Sequence, residues 1–219
     1  MQHTTTPRPE SRLLPLTVLP ATSEPSAWWR VLCRVPGTRI IVTGDLPNHA
    51  PLRTEHLRQW AAAGVTDIID CRIERTDEAE VRADQPHIRY HWVGVDDHGG
   101  EQPDEWFAAG VGAALSALSE PDALVLVHCH MGVNRGPSMA FAILLALGWS
   151  PADALDAIRT CRPIAGIIYA DQALDWWHRA NGVAADSAIT EWQELEHWMD
   201  EHPVDVAWIV HRIWRSDAA

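Results

Sequence analysis

Cys129 and Arg135 are the residues of this 219-residue chain whose types and spacing most directly suggest chemistry. They bound a segment that follows the apolar run 123–127 and leads into the helix-like run 135–147. A helix N-terminus lowers the pKa of a nearby thiol, and a thiolate is a nucleophile. The planar guanidinium of an arginine can bind two oxygens of one phosphate. The pair therefore predicts a nucleophile beside an anion-binding turn.

The residues between these two fit such a turn. Backbone N–H groups at a strand-to-helix junction can converge on an anion, and the helix dipole adds partial positive charge. Gly132 permits a backbone turn that a side chain would hinder. The residues assigned to phosphate binding are His130, Met131, Gly132, Val133, Asn134 and Arg135. Asn134 is read mainly as a brace for loop carbonyls, and His130 either leans over the pocket or is solvated.

Alternating strand and helix signals surround this segment. Apolar runs typical of strands lie at 40–42, 65–69, 88–95 and 123–127, and helical patterns lie at 52–63, 104–118, 135–147, 151–161 and 169–180. This alternation predicts an α/β layered domain. We divide the chain into a flexible N-terminal arm, residues 1–26, a catalytic domain, residues 27–180, and an extension, residues 181–219.

The extension contains eight acidic residues against two arginines, with four tryptophans interleaved. Such a pattern predicts one or two amphipathic helices packed on the domain, with a partner-binding surface as the alternative.

The motif His-Cys, five residues, then Arg, with Gly three residues after Cys129, resembles the protein tyrosine phosphatase superfamily and its small dual-specificity branch. Residues 90–97, Tyr-His-Trp-Val-Gly-Val-Asp-Asp, look like the strand and loop that carry the family's general acid. The resemblance extends over residues 38–180. It implies a central, mostly parallel sheet flanked by helices, to which the extension adds a helical segment.

This resemblance also implies a two-step reaction without metal or other cofactor. Cys129 would attack phosphorus while Asp97 protonates the leaving oxygen, and water activated by Asp97 would then hydrolyse the phosphocysteine. Asp96 is held in reserve, since a one-residue slip is easy in this register. His128 is expected to orient the loop by hydrogen bonding to backbone near Cys129. A zinc site formed by His128, Cys129 and His130 with upstream histidines (His87, His91 and His98) is not predicted, because adjacent ligands point in opposing directions and no second ligand pair has the usual spacing.

Gly136 departs from the family, which commonly has Ser or Thr directly after the loop arginine. That hydroxyl donates a hydrogen bond to the thiolate and eases its departure in the second step. Ser138 can compensate only if it faces Cys129. Otherwise, we expect the phosphoenzyme to break down slowly.

The predicted activity is hydrolysis of phosphomonoesters, of the protein-tyrosine or dual-specificity type, with a phosphorylated protein or a small phosphomonoester as substrate. The alternatives are a catalytically weak phosphate-recognition module and an RNA or phosphoinositide phosphatase. The net charge of −13 opposes nucleic-acid binding. The loop has no lysine, which disfavours phosphoinositides, although Arg72 or Arg75 could supply positive charge from a neighbouring loop.

The four cysteines are scattered and follow no secretory pattern, so we expect a reducing, cytoplasmic environment. The longest apolar run, residues 139–147, is shorter than the ~20 residues of a membrane-spanning helix, and no membrane association is predicted. Cys71 ends a strand predicted to lie beside the loop. It is read as a packing cysteine, with a reversible disulfide to Cys129 as the alternative.

Overall fold

One five-stranded sheet organises residues 25–217, which are the residues described by the computed structural model. The strands are β1 (Cys33–Arg34), β2 (Ile40–Thr43), β3 (Asp67–Arg72), β4 (Arg89–Val95) and β5 (Val125–His128). The helices are α1 (Ala50–Ala62), α2 (Glu78–Asp84), α3 (Asp104–Leu118), α4 (Arg135–Ala146), α5 (Pro151–Cys161), α6 (Ala170–Asn181), α7 (Ala185–Glu201) and α8 (Val206–Asp217). A 3₁₀ helix, Pro25–Arg30, precedes β1.

The strands follow the order β1-β2-β5-β3-β4, and β2, β5, β3 and β4 run parallel. Only β1 is antiparallel, to β2, among the described strands. The predicted α/β class with a mostly parallel sheet is therefore confirmed. Because parallel strands end at the same edge, the segments that follow Thr43, Arg72, Val95 and His128 meet there.

The central strand β5 is buried along its whole length, as its continuous apolar sequence predicted. One face of the sheet packs against α3 and α4, and α4 in turn packs against α5 and α6, in a cluster that includes Val127 and Phe141. The opposite face packs against α1 through Leu57 and Trp60. Helices on both faces hold β5 and the start of α4 in fixed positions.

The extension forms α7 and α8, and both pack on the domain. Leu195 and Trp198 of α7 join the main core cluster, and the Trp198 indole donates to Asp156 Oδ1 at 2.6 Å. Ile209 and Ile213 of α8 pack in a cluster with Trp29 and Val133. Since Val133 belongs to the Cys129–Arg135 segment, α8 and the predicted catalytic loop share one apolar cluster.

Two elements, β1 and α2, were not predicted. Strand β1 has only two residues, too few for an alternating pattern, and α2 buries only Val81 among charged neighbours. The predicted flexible arm lies outside the described residues except for Pro25 and Ser26, which belong to the 3₁₀ helix. Across residues 25–217, every helix falls short of the length and apolar character that crossing a membrane requires.

Candidate active site

The segment Cys129–Arg135 forms a loop between β5 and the first residue of α4. Cys129 is 2% exposed and Arg135 is also 2% exposed. The predicted nucleophile and the predicted phosphate fork therefore lie together inside the protein, at the carboxyl edge of the sheet. This edge is where ligands bind in open α/β sheets.

Four consecutive carbonyls of the loop accept hydrogen bonds from the surrounding protein. Asp45 N donates to His130 O at 2.9 Å, and Gly166 N donates to Val133 O at 2.6 Å. The Arg162 guanidinium donates to Met131 O and Gly132 O. In a trans peptide the N–H points opposite to the C=O. The amides of residues 131–134 therefore point away from these donors, an arrangement suited to an anion.

Gly132 is required by the geometry of the loop. Its φ of 63° lies in the left-handed region, where a side chain is unfavourable. A Cβ at this position would stand 2.5 Å from Thr43 O and 2.3 Å from Nη2 of Arg162. The backbone turn predicted at Gly132 thus requires glycine for two separate physical reasons.

The guanidinium of Arg135 is held on three sides. Its two Nη atoms donate to the carboxylate of Glu74 at 2.8 and 2.7 Å, and Nη1 also donates to Val95 O at 2.9 Å. Its Nε lies 3.3 Å from Asp97 Oδ2. Burial alone would lower the pKa of Arg135, but Glu74 and the negative charges of Cys129 and Asp97 raise it. The fork stays charged and fixed beside the cysteine.

Asp97, rather than Asp96, brings its carboxylate to the loop. Asp97 Oδ1 accepts hydrogen bonds from Asn134 Nδ2 at 2.7 Å and from the Tyr169 hydroxyl at 2.9 Å. The side chain of Asp96 is exposed, and its carbonyl accepts a hydrogen bond from Gln102 Nε2 at 3.0 Å. The preferred position for a general acid, Asp97, is therefore the one beside the loop, and the one-residue shift to Asp96 is not needed.

Asn134 and Ser138 form a bracing network behind the loop. Asn134 Oδ1 accepts from Ile168 N at 2.8 Å and from the Ser138 hydroxyl at 3.2 Å, while Ser138 Oγ accepts from Tyr169 N at 3.2 Å. Asn134 thus braces the loop, but through Ile168 N, Ser138 and Asp97 instead of through the loop carbonyls as predicted. The Ser138 hydroxyl bonds to Asn134 and Tyr169 instead of Cys129, so the condition for Ser138 to compensate for Gly136 is not met.

Gly136 lies directly against the cysteine. A Cβ built on Gly136 would be 3.2 Å from Cys129 N and 3.2 Å from the His128 carbonyl carbon. The position that carries Ser or Thr in the family therefore faces the cysteine backbone here too, without a hydroxyl.

The two histidines beside Cys129 have different environments. His128 is fully buried against Trp60, with ring centroids 5.5 Å apart. Burial lowers the pKa of His128 to about 4, although nearby Asp70 opposes the shift, so the ring is neutral at pH 7 and only a weak base. The His130 side chain is partly exposed, and its Nδ1 lies 3.9 Å from Asp45 Oδ2.

Three residues of the site were missed by sequence reasoning: Glu74, Arg162 and Tyr169. Glu74 follows the end of β3, next to β5, so the rule that parallel strands end at one edge offered a signal for it. Arg162 and Tyr169 carry no motif that marks them, since only the packing of the 162–169 segment brings them to the loop.

Arg72 and Arg75, considered as sources of positive charge for a ligand, are already paired. Arg72 is buried and donates to Asp70 at 2.9 and 2.8 Å and also to Asp77. Arg75 donates to Asp77 and Asn48. Their charges are therefore compensated within the protein, which argues against either arginine as a source of charge for a ligand.

Cys71 lies on β3 and is fully buried, and burial, followed by the negative charge of Cys129, raises the pKa of its thiol. All four cysteines of the chain are free. The disulfide between Cys71 and Cys129 stays a prediction. Within residues 25–217, the His, Cys, Asp and Glu side chains form no group of three or more that could hold a metal ion.

Comparison with known proteins gives the fold a name. No protein-family model and no curated protein match the sequence. Among solved structures, human DUSP28 is 21% identical with a TM-score of 0.54, covering 68% of this chain and 95% of its own. The Yvh1 phosphatase domain from Chaetomium thermophilum is 24% identical with a TM-score of 0.50, covering 71% and 100%. The fold is that of the dual-specificity phosphatases.

A further structure of this fold is PTPMT1 in complex with PI(5)P, 20% identical with a TM-score of 0.50, covering 64% of this chain and 94% of its own. All three structures are matched almost completely, whereas about a third of this chain lies outside each match. This chain therefore adds substantial sequence to the shared phosphatase fold.

Gly132→Ala tests the geometry of the loop. We expect it to lower the free energy of unfolding by about 1–3 kcal/mol, because the variant combines an unfavourable φ with contacts below 3 Å. Gly112→Ala is the matched control, since a Cβ there meets nothing within 4 Å and lies in a helix. The control should be neutral or stabilising by up to about 1 kcal/mol. Urea denaturation measures both, and equal stability of the two variants would contradict the described loop.

Proposed function

We propose that this protein hydrolyses phosphomonoesters through a phosphocysteine intermediate on Cys129. The observation that carries the proposal is the placement of a buried thiol and a buried guanidinium on one strand-to-helix loop, with the Asp97 carboxylate 3.3 Å from Nε of that guanidinium. Nucleophile, anion fork and proton donor then surround one position. The dual-specificity phosphatase fold supports this function by analogy.

The first step transfers the phosphoryl group to sulfur. The substrate dianion occupies the loop, with its oxygens on the amides of residues 131–134 and on Nε of Arg135, whose only described partner is Asp97. The Cys129 thiolate attacks phosphorus, a P–S bond forms, and the bond to the leaving oxygen breaks. Asp97, protonated at this stage, gives its proton to that oxygen. The products are phosphocysteine and a free alcohol or phenol.

The second step regenerates the enzyme. Asp97, now a carboxylate, takes a proton from a water molecule, which attacks phosphorus and breaks the P–S bond. Cys129 leaves as a thiolate, stabilised by the N-terminus of α4 and by Arg135. Since Gly136 has no hydroxyl and the Ser138 hydroxyl is engaged elsewhere, this step receives less help than the first.

The substrate that we favour is a phosphorylated protein, of the phosphotyrosine or dual-specificity type. The chain has no lysine in its loop, and Arg72 and Arg75 are paired with aspartates, which argues against a highly charged phosphoinositide. PTPMT1, which shares the fold, is nevertheless described with PI(5)P, so phosphoinositides belong in any substrate survey. Four unpaired cysteines favour a cytoplasmic location.

Gly136 supports a second candidate, a phosphate-recognition module. A loop that binds phosphate but releases phosphocysteine very slowly would act as a reader of phosphorylated partners. The two candidates differ in turnover alone, since both require the anion-binding loop.

Hydrolysis of a fluorescent aryl phosphate separates the candidates. We expect wild type to turn over repeatedly, and Cys129→Ser and Arg135→Met to lose at least a hundredfold in kcat/KM, because they remove the nucleophile and the anion fork. Circular dichroism checks that both variants fold. Wild-type activity no higher than that of Cys129→Ser would defeat the enzyme and leave the recognition module.

Asp97→Asn and Asp96→Asn form a matched pair that tests the general acid. Asp97→Asn should lower kcat/KM by about 10²–10⁴ for alkyl phosphates and much less for aryl phosphates whose leaving group needs no proton. Asp96→Asn should stay close to wild type with both substrates, since it is the Asp97 carboxylate that bonds to Asn134 of the loop. The assignment fails if the leaving-group dependence follows Asp96.

A further inference from the structure

The extension builds a groove against the catalytic domain. Helix α7 faces the segment that leads into α6, and the two enclose a cavity of about 400 Å³, which we call the α6–α7 groove. Its apolar surface consists of Ile168 from the domain and Trp192, Leu195 and Met199 from α7. The groove therefore exists only because the extension is docked on the domain.

Three carboxylates line the same groove: Asp171, Glu196 and Asp200. None of them forms an ion pair with an Arg or His side chain among residues 25–217, and Asp171 Oδ1 only accepts a hydrogen bond from Gln172 N at 2.8 Å. Two other acids of α7 have a histidine partner. Glu191 lies 2.8 Å from His178, and Glu201 lies 3.4 Å from His197. The groove thus combines an apolar surface with uncompensated negative charge.

The groove adjoins the proposed active site through one short segment. Ile168 lines the groove, and its backbone N–H donates to Asn134 in the loop at 2.8 Å. The next residue, Tyr169, donates its hydroxyl to Asp97 at 2.9 Å. The segment that lines the groove therefore also carries the groups that bond to Asn134 and Asp97.

We propose that the α6–α7 groove binds an arginine or lysine side chain of the phosphorylated protein substrate, close in sequence to the phosphorylated residue. This proposal rests on the proposed function and names its substrate class. The aliphatic stem of the cationic side chain packs on Ile168, Trp192 and Met199, while its charged end meets the carboxylates. Charge complementarity of this kind contributes mainly to specificity and to the rate of association. The acidic extension then acts in substrate selection.

Peptide substrates test the groove directly. In a set of phosphotyrosine peptides, a single arginine is moved through the four positions on each side of the phosphotyrosine, and a glutamine peptide is the reference. We expect one or two positions at which arginine lowers KM by about tenfold, a gain that corresponds to ~1.4 kcal/mol. The gain should shrink as salt is raised, because partly exposed charges are screened.

Two double variants on α7 show where the preference comes from. Glu196→Gln with Asp200→Asn removes two of the three carboxylate charges of the groove, and Asp186→Asn with Glu194→Gln makes the same charge change at exposed positions outside it. We expect the KM ratio of the arginine and glutamine peptides to approach one in the groove variant and to keep its wild-type value in the control. An equal loss in both variants would overturn the proposal, because the preference would then follow the overall charge.

Two further results would overturn the proposal. One is a wild-type enzyme with no preference for arginine at any position. The other is a groove variant whose kcat/KM rises equally for both peptides, which would assign the groove to another segment of this chain or to a second copy.

Failure of the proposed function is recognised separately, as absence of aryl phosphate hydrolysis by wild type. In that case, fluorescence anisotropy with labelled peptides still tests the groove. Tighter binding of the arginine peptide to Cys129→Ser, lost when Glu196 and Asp200 are neutralised, would support it, and equal binding of both peptides would overturn it.

Discussion

The buried charge of Arg135 is the constraint on which the rest of the site depends. A guanidinium that is 2% exposed must find compensation within the protein, and it does so through Glu74, Val95 O and Asp97. Each of these partners follows, or ends, a parallel strand that neighbours or lies near β5. The sheet therefore brings to one edge the groups that allow a positive charge to remain inside a chain of net charge −13.

The same edge also explains how the loop keeps its shape. Arg162, which is 2% exposed, donates to the carbonyls of Met131 and Gly132 and to Trp29 O. One buried cation thus ties the loop to the 3₁₀ helix that precedes β1. Val133 packs with Trp29, Ile209 and Ile213, so the extension supports the loop from the side. Together these contacts hold the backbone carbonyls outward, which is the condition for its amides to serve an anion.

Much of this architecture could be predicted from the sequence. The apolar run before Cys129, the glycine at position 132 and the helix after Arg135 each carry a local signal, and the structure places all three as expected. Glu74 and Tyr169 carry no local signal of comparable strength, because their roles arise only when β3 and the segment before α6 pack beside the loop. Ser138 shows the same limit, since its position in the sequence allowed a contact with Cys129 that helix packing directs to Asn134. Local pattern identifies residue types that can react, whereas packing decides which of them meet.

In the reaction that we propose, the two chemical steps receive unequal support from this site. Attack has a buried thiol, a fixed guanidinium and an aspartate in place, but thiolate departure has no hydroxyl from residue 136. Rapid-quench analysis of wild type with a fluorescent aryl phosphate tests this account most directly. The proposed mechanism predicts a burst of about one phenol per enzyme, because phosphocysteine forms faster than it breaks down. It also predicts a phosphoryl group on the peptide that contains Cys129. A linear time course with no phosphoryl group on that peptide would contradict it.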